Sequence, residues 1–365
     1  MMDFFSTTIS EESIKYVNEI LKSGMISAGK LADKFEHELS KKFGFHNPIS
    51  LNSGTVTMRL ALISAGIKEG DEVILPAQTF VATGHVILQC GAKPIFADIN
   101  LDGNISIESV KEKITEKTKA IIPVHWGGYP CDLDEINELA KKYNLTVIED
   151  AAHALGSIYK NKNIGTISEF TSFSFQAIKT LTTGDGGLLT CMNSDKARLI
   201  KRLRWFDIDR DNSTPSILGE REYDITNIGY KYHMNDIAAS IGLGNLKIFD
   251  DKIKKLKYIA KIYNDELFNI SGIKLMDYKS DRESSYWLYP VIVNNRENFI
   301  KKLKNYGIPT SVVHLGIDKN TIFGGKNYDL TNQRFFDDNQ IHLPINDKIT
   351  DDDINLIIKT IKSGW

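Results

Sequence analysis

The chain predicts an α/β protein: a large doubly wound domain on a mostly parallel sheet, then a smaller C-terminal α+β domain. Three observations carry this. Its 365 residues are about two domains' worth. Between residues 50 and 191, short apolar runs alternate with helical stretches, the pattern of strands covered on both faces. After a Lys-rich helical stretch at Asp250–Phe268 that alternation gives way to mixed content. The expected division is 1–245 for the large domain with its N-terminal helices, and 246–365 for the small one.

Each element has its own signal. Ser10-Glu11-Glu12 opens an amphipathic helix to about Leu21, and Ser23-Gly24 stops it. A second helix runs from Lys30 to Phe43 on Leu31, Phe35 and Leu39, ended by Gly44. Ser53-Gly54-Thr55 precedes a helical run from Met58 to Ala65. Strands are expected at Glu72–Leu75, Lys93–Ala97, Lys119–Pro123, Leu145–Glu149, Phe170–Phe175 and Gly187–Cys191. Helices are expected at Phe80–Gln89, Leu133–Tyr143 and Asp195–Arg204. Phe206–Asp224 is polar and irregular, a long surface loop. Met234–Leu246 is an apolar helix with small residues that permit close packing. Tyr286–Val293 and Ile341–Pro344 read as strands, Arg296–Tyr306 and Thr350–Ile361 as helices.

Composition excludes several classes. Lys+Arg number 45 and Asp+Glu 47, a net charge of -2, so no whole-chain field favours nucleic acid or an anionic membrane. Apolar residues at 42% rule out wholesale disorder. Cys90, Cys131 and Cys191 are too few and scattered for a disulfide framework or a zinc ribbon, and an odd count fits a reducing compartment. No signal-peptide pattern opens the chain and no run of 18 apolar residues occurs. The expectation is a cytoplasmic protein with no membrane or nucleic-acid partner.

Four features carry chemistry. Val147-Ile148-Glu149-Asp150 is an apolar strand ending in two carboxylates, where ligands bind in open α/β sheets; Asp150 also reads as a helix cap. Ser172–Gln176 runs into Lys179 beside the glycine-rich Gly184-Asp185-Gly186-Gly187. A lysine so placed can be desolvated and nucleophilic, or an ordinary surface residue. Asn52-Ser53-Gly54-Thr55 sits at a helix N-terminus, a phosphate site or a plain cap. Phe80, past another strand end, suits ring stacking or the core. Taken together these suit pyridoxal 5′-phosphate (PLP, or PMP once aminated), which needs a Schiff-base lysine, an acid at its ring nitrogen, phosphate donors and a stacking surface.

In these motifs the chain resembles the DegT/DnrJ/EryC1/StrS family of sugar aminotransferases. The resemblance runs from Ile26-Ser27-Ala28-Gly29-Lys30 to Leu343-Pro344. It includes Pro76-x-x-Thr79-Phe80-x-Ala82-Thr83, Gly91-Ala92-x-Pro94, Glu149-Asp150-Ala151-Ala152-His153-x-x-Gly156 and Ser172-Phe173-Ser174-Phe175-x-x-x-Lys179-x-x-Thr182-Thr183-Gly184-Asp185-Gly186-Gly187. It implies PLP fold type I, with a large, mostly parallel, seven-stranded sheet. By the same resemblance, Lys179 would carry the cofactor as a Schiff base and then shuttle the substrate proton. Asp150 would pair with the ring nitrogen, and His153 would lie near the ring. Phe80 would stack on it, while Ser53, Gly54, Thr55 and Ser174 would hold the phosphate. Lys30 falls where a substrate contact is implied; the His125-Trp126 segment and His314 either shape the sugar pocket or fill satisfied structural roles. The implied substrates are a nucleotide-linked keto sugar, aminated at C3 or C4, and L-glutamate. The implied assembly is a homodimer with shared sites.

The chain departs from the family's pattern at His125-Trp126-Gly127-Gly128, where an aromatic-Gly sequence is more usual, at His314, and in one further segment. Gly229-Tyr230-Lys231-Tyr232-His233 stands where Gly-Tyr-Asn-Tyr-Arg is usual. Lys231 is either a phosphate contact made from the partner chain or a surface ion pair. Other activities on the same machinery are amination of a keto-cyclitol or a small phosphorylated ketone, PLP-dependent sugar dehydration, and non-catalytic PLP-binding regulation. Lys179 argues against the dehydratase, whose relatives carry histidine there. The absence of an early GxGxxG argues against a nicotinamide dehydrogenase.

Overall fold

The computed structural model describes residues 2–210 and 212–365. Asp211, inside the loop expected at Phe206–Asp224, lies outside the described residues.

Seven strands make the main sheet: β1 (Ile49–Leu51), β2 (Glu72–Pro76), β3 (Lys93–Ala97), β4 (Thr118–Ile121), β5 (Thr146–Asp150), β6 (Phe170–Ser174) and β7 (Gly187–Cys191). Their spatial order is β1-β7-β6-β5-β4-β2-β3. The pairs β2/β3, β2/β4, β4/β5 and β5/β6 are parallel, while β7 runs antiparallel to both its neighbours. Burial explains the continuous apolar runs. Side chains on one face join a core with Phe35, Leu139, Phe173 and Leu243, and those on the other pack with Met58, Leu60, Val86 and Ile200.

A second sheet is antiparallel throughout: β8 (Ile273–Leu275), β9 (Tyr289–Val293) and β10 (Gln340–Leu343), with β9 in the middle. It packs with the helices Arg296–Asn305 and Asp351–Lys362 around Val291, Phe299, Leu343 and Ile357. The helix Phe249–Leu267 serves both cores, with Phe249 and Ile253 in the first and Leu256 to Leu267 in the second. Arg282–Glu283 pairs with Ile158–Tyr159 and ties the two sheets' surroundings together. The N-terminal segment crosses the same junction: Ser6 and Thr8 donate to the Asp347 carboxylate at 2.8 and 2.6 Å.

Several boundaries differ from the sequence expectation. The strand expected from Tyr286 starts at Tyr289, because Tyr286 takes a left-handed φ of 50° and turns the chain. The helices Ile107–Lys113 and Thr331–Asn339 and the strands β1 and β8 have no expected counterpart; the seven-residue helix and the three-residue strands are too short for a period to register. Within the expected surface loop, Thr214–Pro215 pairs with Arg221–Glu222 in an exposed hairpin. Among the described residues no helix is long and apolar enough to cross a membrane.

Candidate active site

The site lies where β5 and β6 end. Asp150 is in register with Ser172, and Ser174 closes β6. Facing them begins the helix Gly54–Ser64, whose cap residue Ser53 accepts the Val56 N–H. The Gly54 and Thr55 N–H groups have no intrahelical partner, as at any helix start. Gly54 permits the approach: a Cβ there would lie 2.9 Å from the Ser174 Cβ. A cavity of about 500 Å³ results, lined by Ser53, Gly54, Thr55, Phe80, Asp150, His153, Ser174, Lys179 and His314. Nine residues singled out from the sequence thus meet in one place.

The electrostatics follow from burial. Lys179 follows a turn in which its N–H donates to Gln176 O at 2.9 Å. Desolvation pulls its ammonium pKa down to about 7, against the pull of the Asp150 carboxylate. Asp150 is raised by burial, opposed by hydrogen bonds from Thr83 and the Ala152 N–H. Thr83 Oγ1 donates to Asp150 Oδ2 at 2.8 Å, and Ala152 N–H to Oδ1 at 3.1 Å. His153 is held well below its ordinary value, first by burial and then by Lys179. Its Nδ1 is buried without a hydrogen-bond partner. His314 is lowered to about 4 by burial and by Lys179, and its ring tilts against Phe80 at 5.2 Å between centroids. Both imidazoles are therefore neutral at pH 7.

The structure does not bring four other residues into this lining. His125 is fully buried and doubly engaged: Nδ1 accepts the Cys131 N–H at 3.0 Å and Nε2 meets Glu149 Oε2 at 2.8 Å. Trp126 is also fully buried, behind the cavity, edge-on to His153 and His314 at 5.5 and 6.0 Å. Lys30 is exposed at the start of its helix, whose N-terminus is capped by the buried Asp236 through the N–H groups of Gly29, Leu31 and Ala32. Lys231 is exposed, its Nζ 3.4 Å from the Trp205 ring centroid. A larger cleft of about 800 Å³ beside β8, lined by Tyr129, Tyr278 and Tyr286, contains none of the residues singled out. Lys257, Lys279 and Arg282 there are all paired with carboxylates.

Sequence reasoning left out three contributors. Thr83 orients Asp150. Trp287 lines the cavity, stacked on His153 at 3.8 Å and lying under Lys179 Nζ at 3.6 Å. Phe5 stacks on Trp287 at 5.3 Å. Thr83 had a signal, one helical turn after Thr79 beside a strand end; the other two had none in local spacing.

A mostly parallel seven-stranded sheet, with a lysine, an acid and a helix start at its strand ends and a small antiparallel unit beside it, defines PLP fold type I. The chain belongs to the DegT/DnrJ/EryC1/StrS aminotransferase family, whose profile matches residues 7–362. It is 36% identical over 304 residues to the GDP-perosamine synthase of Escherichia coli O157:H7, covering 83% of this chain and 80% of that one. The crystal structure of the sugar aminotransferase CalS13 from Micromonospora echinospora superposes with a TM-score of 0.95 at 30% identity, covering 100% of both chains. Spr1654 from Streptococcus pneumoniae, solved in a PLP form, gives a TM-score of 0.90 at 32% identity over 99% of this chain and 98% of that one.

Proposed function

We propose that the protein is a PLP-dependent sugar aminotransferase. It takes an amino group from L-glutamate and passes it to C3 or C4 of a nucleotide-linked keto-deoxy sugar, for surface-glycan or amino-sugar biosynthesis. The observation that carries this is the single cavity joining Lys179, Asp150 and the Gly54 helix start. The names of the relatives, a GDP-perosamine synthase and a sugar aminotransferase, support the substrate class.

The residues present fit the cofactor. The free N–H groups at Gly54 and Thr55, with the hydroxyls of Ser53, Thr55 and Ser174, suit a phosphate. Asp150, held by two donors, suits a protonated ring nitrogen. The unpartnered buried Nδ1 of His153 is a polar atom that a ligand can satisfy. Phe80, half exposed at 53%, offers a face to a planar ring. Bound there, PLP supplies an electron sink for negative charge at the substrate carbon.

The chain's own groups do the rest. An amine whose pKa lies near 7 takes and returns a proton at neutral pH, which suits Lys179 to moving a proton at the substrate carbon. Asp150 holds positive charge opposite it. His314, tilted on Phe80 in the cavity lining, is our candidate for contacting the sugar. We assign residues 1–245 to the cofactor and 246–365 to closing over substrate. We also place the enzyme in the cytoplasm as a homodimer, in which Lys231 serves the partner's cavity.

The test is direct. The purified protein should be yellow, and borohydride should fix the cofactor to Lys179. With glutamate and a set of nucleotide-linked 3- and 4-keto-6-deoxy sugars, mass spectrometry should show an amino sugar. No visible band with added PLP, or no aminated product from any member of the set, refutes the reading.

A further inference from the structure

We propose that Trp287 is a positioning residue whose indole face is the resting place of the Lys179 amino group whenever that group is free of cofactor. This rests on the reading that Lys179 carries the cofactor, since a lysine released during turnover needs a defined place to wait.

Four contacts fix the ring. Lys179 Nζ lies 3.6 Å from its centroid, well within cation–π range. The indole N–H donates to Ile178 O at 2.9 Å, which ties the ring to the residue immediately before the lysine. His153 stacks on it at 3.8 Å and 23°, and Phe5 from the N-terminal segment at 5.3 Å and 20°.

The backbone aims it. Tyr286 sits at φ 50°, a conformation that costs energy for an aromatic residue. The preceding Ser285 holds that bend in place. Its Oγ donates to His153 O at 2.9 Å and its N–H to Ser157 Oγ at 3.0 Å. The strand β9 therefore begins only after Trp287 has turned into the cavity.

The other charged or titratable groups around the amine are few. Asp150 attracts the ammonium, while His153 and His314 repel it only when protonated, which burial opposes. Asp185 also lines the cavity. The indole face adds an attraction that acts on the charged form alone, and so raises the proton affinity of a lysine that burial lowers.

The experiment uses the full chain, cofactor-free and PLP-loaded. In the cofactor-free protein, Lys179 is titrated by reductive ¹³C-methylation and NMR, its signal assigned by loss in Lys179→Met. Trp287→Met, apolar but without a π face, should lower the midpoint by about 0.5–1 pH unit, and Trp287→Phe by less. A Trp287→Met midpoint at or above wild type overturns the proposal. A second readout needs no change at Trp287. The near-UV tryptophan signal of the wild type should titrate with the Lys179 midpoint and become flat in Lys179→Met; a signal indifferent to that substitution also overturns the proposal. PLP capture, read as growth of the visible band, separates the two readings. If the wild type captures none, the cofactor reading fails, and the lysine titration still decides the role of Trp287.

Discussion

Removing Lys179 should make the cofactor-free protein more stable. Lys179 is carried in the folded state with its pKa drawn from 10.5 to about 7, chiefly by desolvation. Below pH 7 both folded and unfolded chains hold the proton, and the folded state bears the whole cost. At about 1.4 kcal/mol per pH unit, that cost is roughly 5 kcal/mol. Between pH 7 and 10.5 the unfolded chain binds more protons than the folded one, so wild-type stability rises with pH and the cost shrinks. It is about 2 kcal/mol at pH 9 and under about 1 kcal/mol at pH 10. Lys179→Met replaces the amine with an apolar side chain of similar reach. Urea unfolding of cofactor-free protein should therefore show the variant more stable by about 3–5 kcal/mol at pH 6, and by less than half of that at pH 9. A gain that is the same at both pH values refutes the electrostatic argument, because packing alone does not titrate. A loss of stability at pH 6 refutes it outright.

Three other substitutions test the supports of the site. Asp236→Ala removes the acceptor for three N–H groups at the start of the helix Lys30–Phe43; urea unfolding should show a loss of about 2–3 kcal/mol. Thr83→Val deletes the 2.8 Å donor to Asp150; equilibrium dialysis should show PLP retained about tenfold less tightly, as expected for a hydrogen bond to a charged group. Lys231→Ala should weaken PLP retention if the residue reaches a partner's cavity. Unchanged retention would leave Lys231 with only its contact to Trp205.

The large sheet was legible because its strands are buried on both faces and so read as uninterrupted apolar runs. The predicted residues that line the cavity, His314 apart, were legible because each follows a strand end or begins a helix, and such positions are marked by local sequence. His125 shows where this stops. Side chains alternate along a strand, so neighbouring Glu149 and Asp150 point to opposite faces of the sheet. Asp150 enters the cavity; Glu149 therefore faces away, and His125, bound to Glu149, goes with it. Alternation alone could have separated the two carboxylates. Nothing comparable marks Trp287, whose place depends on the left-handed turn at Tyr286 and on contacts with Phe5, His153 and Lys179 that are far apart in sequence.

Four titratable groups of the cavity share one tendency. Lys179, His153 and His314 are lowered and Asp150 is raised, and burial is the leading cause in each. Burial thus drives every one of them toward its neutral form. A ligand that brings a ring cation beside Asp150 reverses this for the carboxylate, and its phosphate would meet the N–H groups of the Gly54 helix start. Binding then returns much of the desolvation cost, so affinity and stability are coupled through the same groups. PLP at a hundred times its dissociation constant stabilises a folded protein by about 2.7 kcal/mol through mass action. That increment should appear in the thermal midpoint of the wild type. At the same PLP concentration it should be smaller in Asp150→Asn, whose neutral amide cannot match a ring cation; an equal PLP-induced shift in that variant would mean that the acid does not face the ring nitrogen.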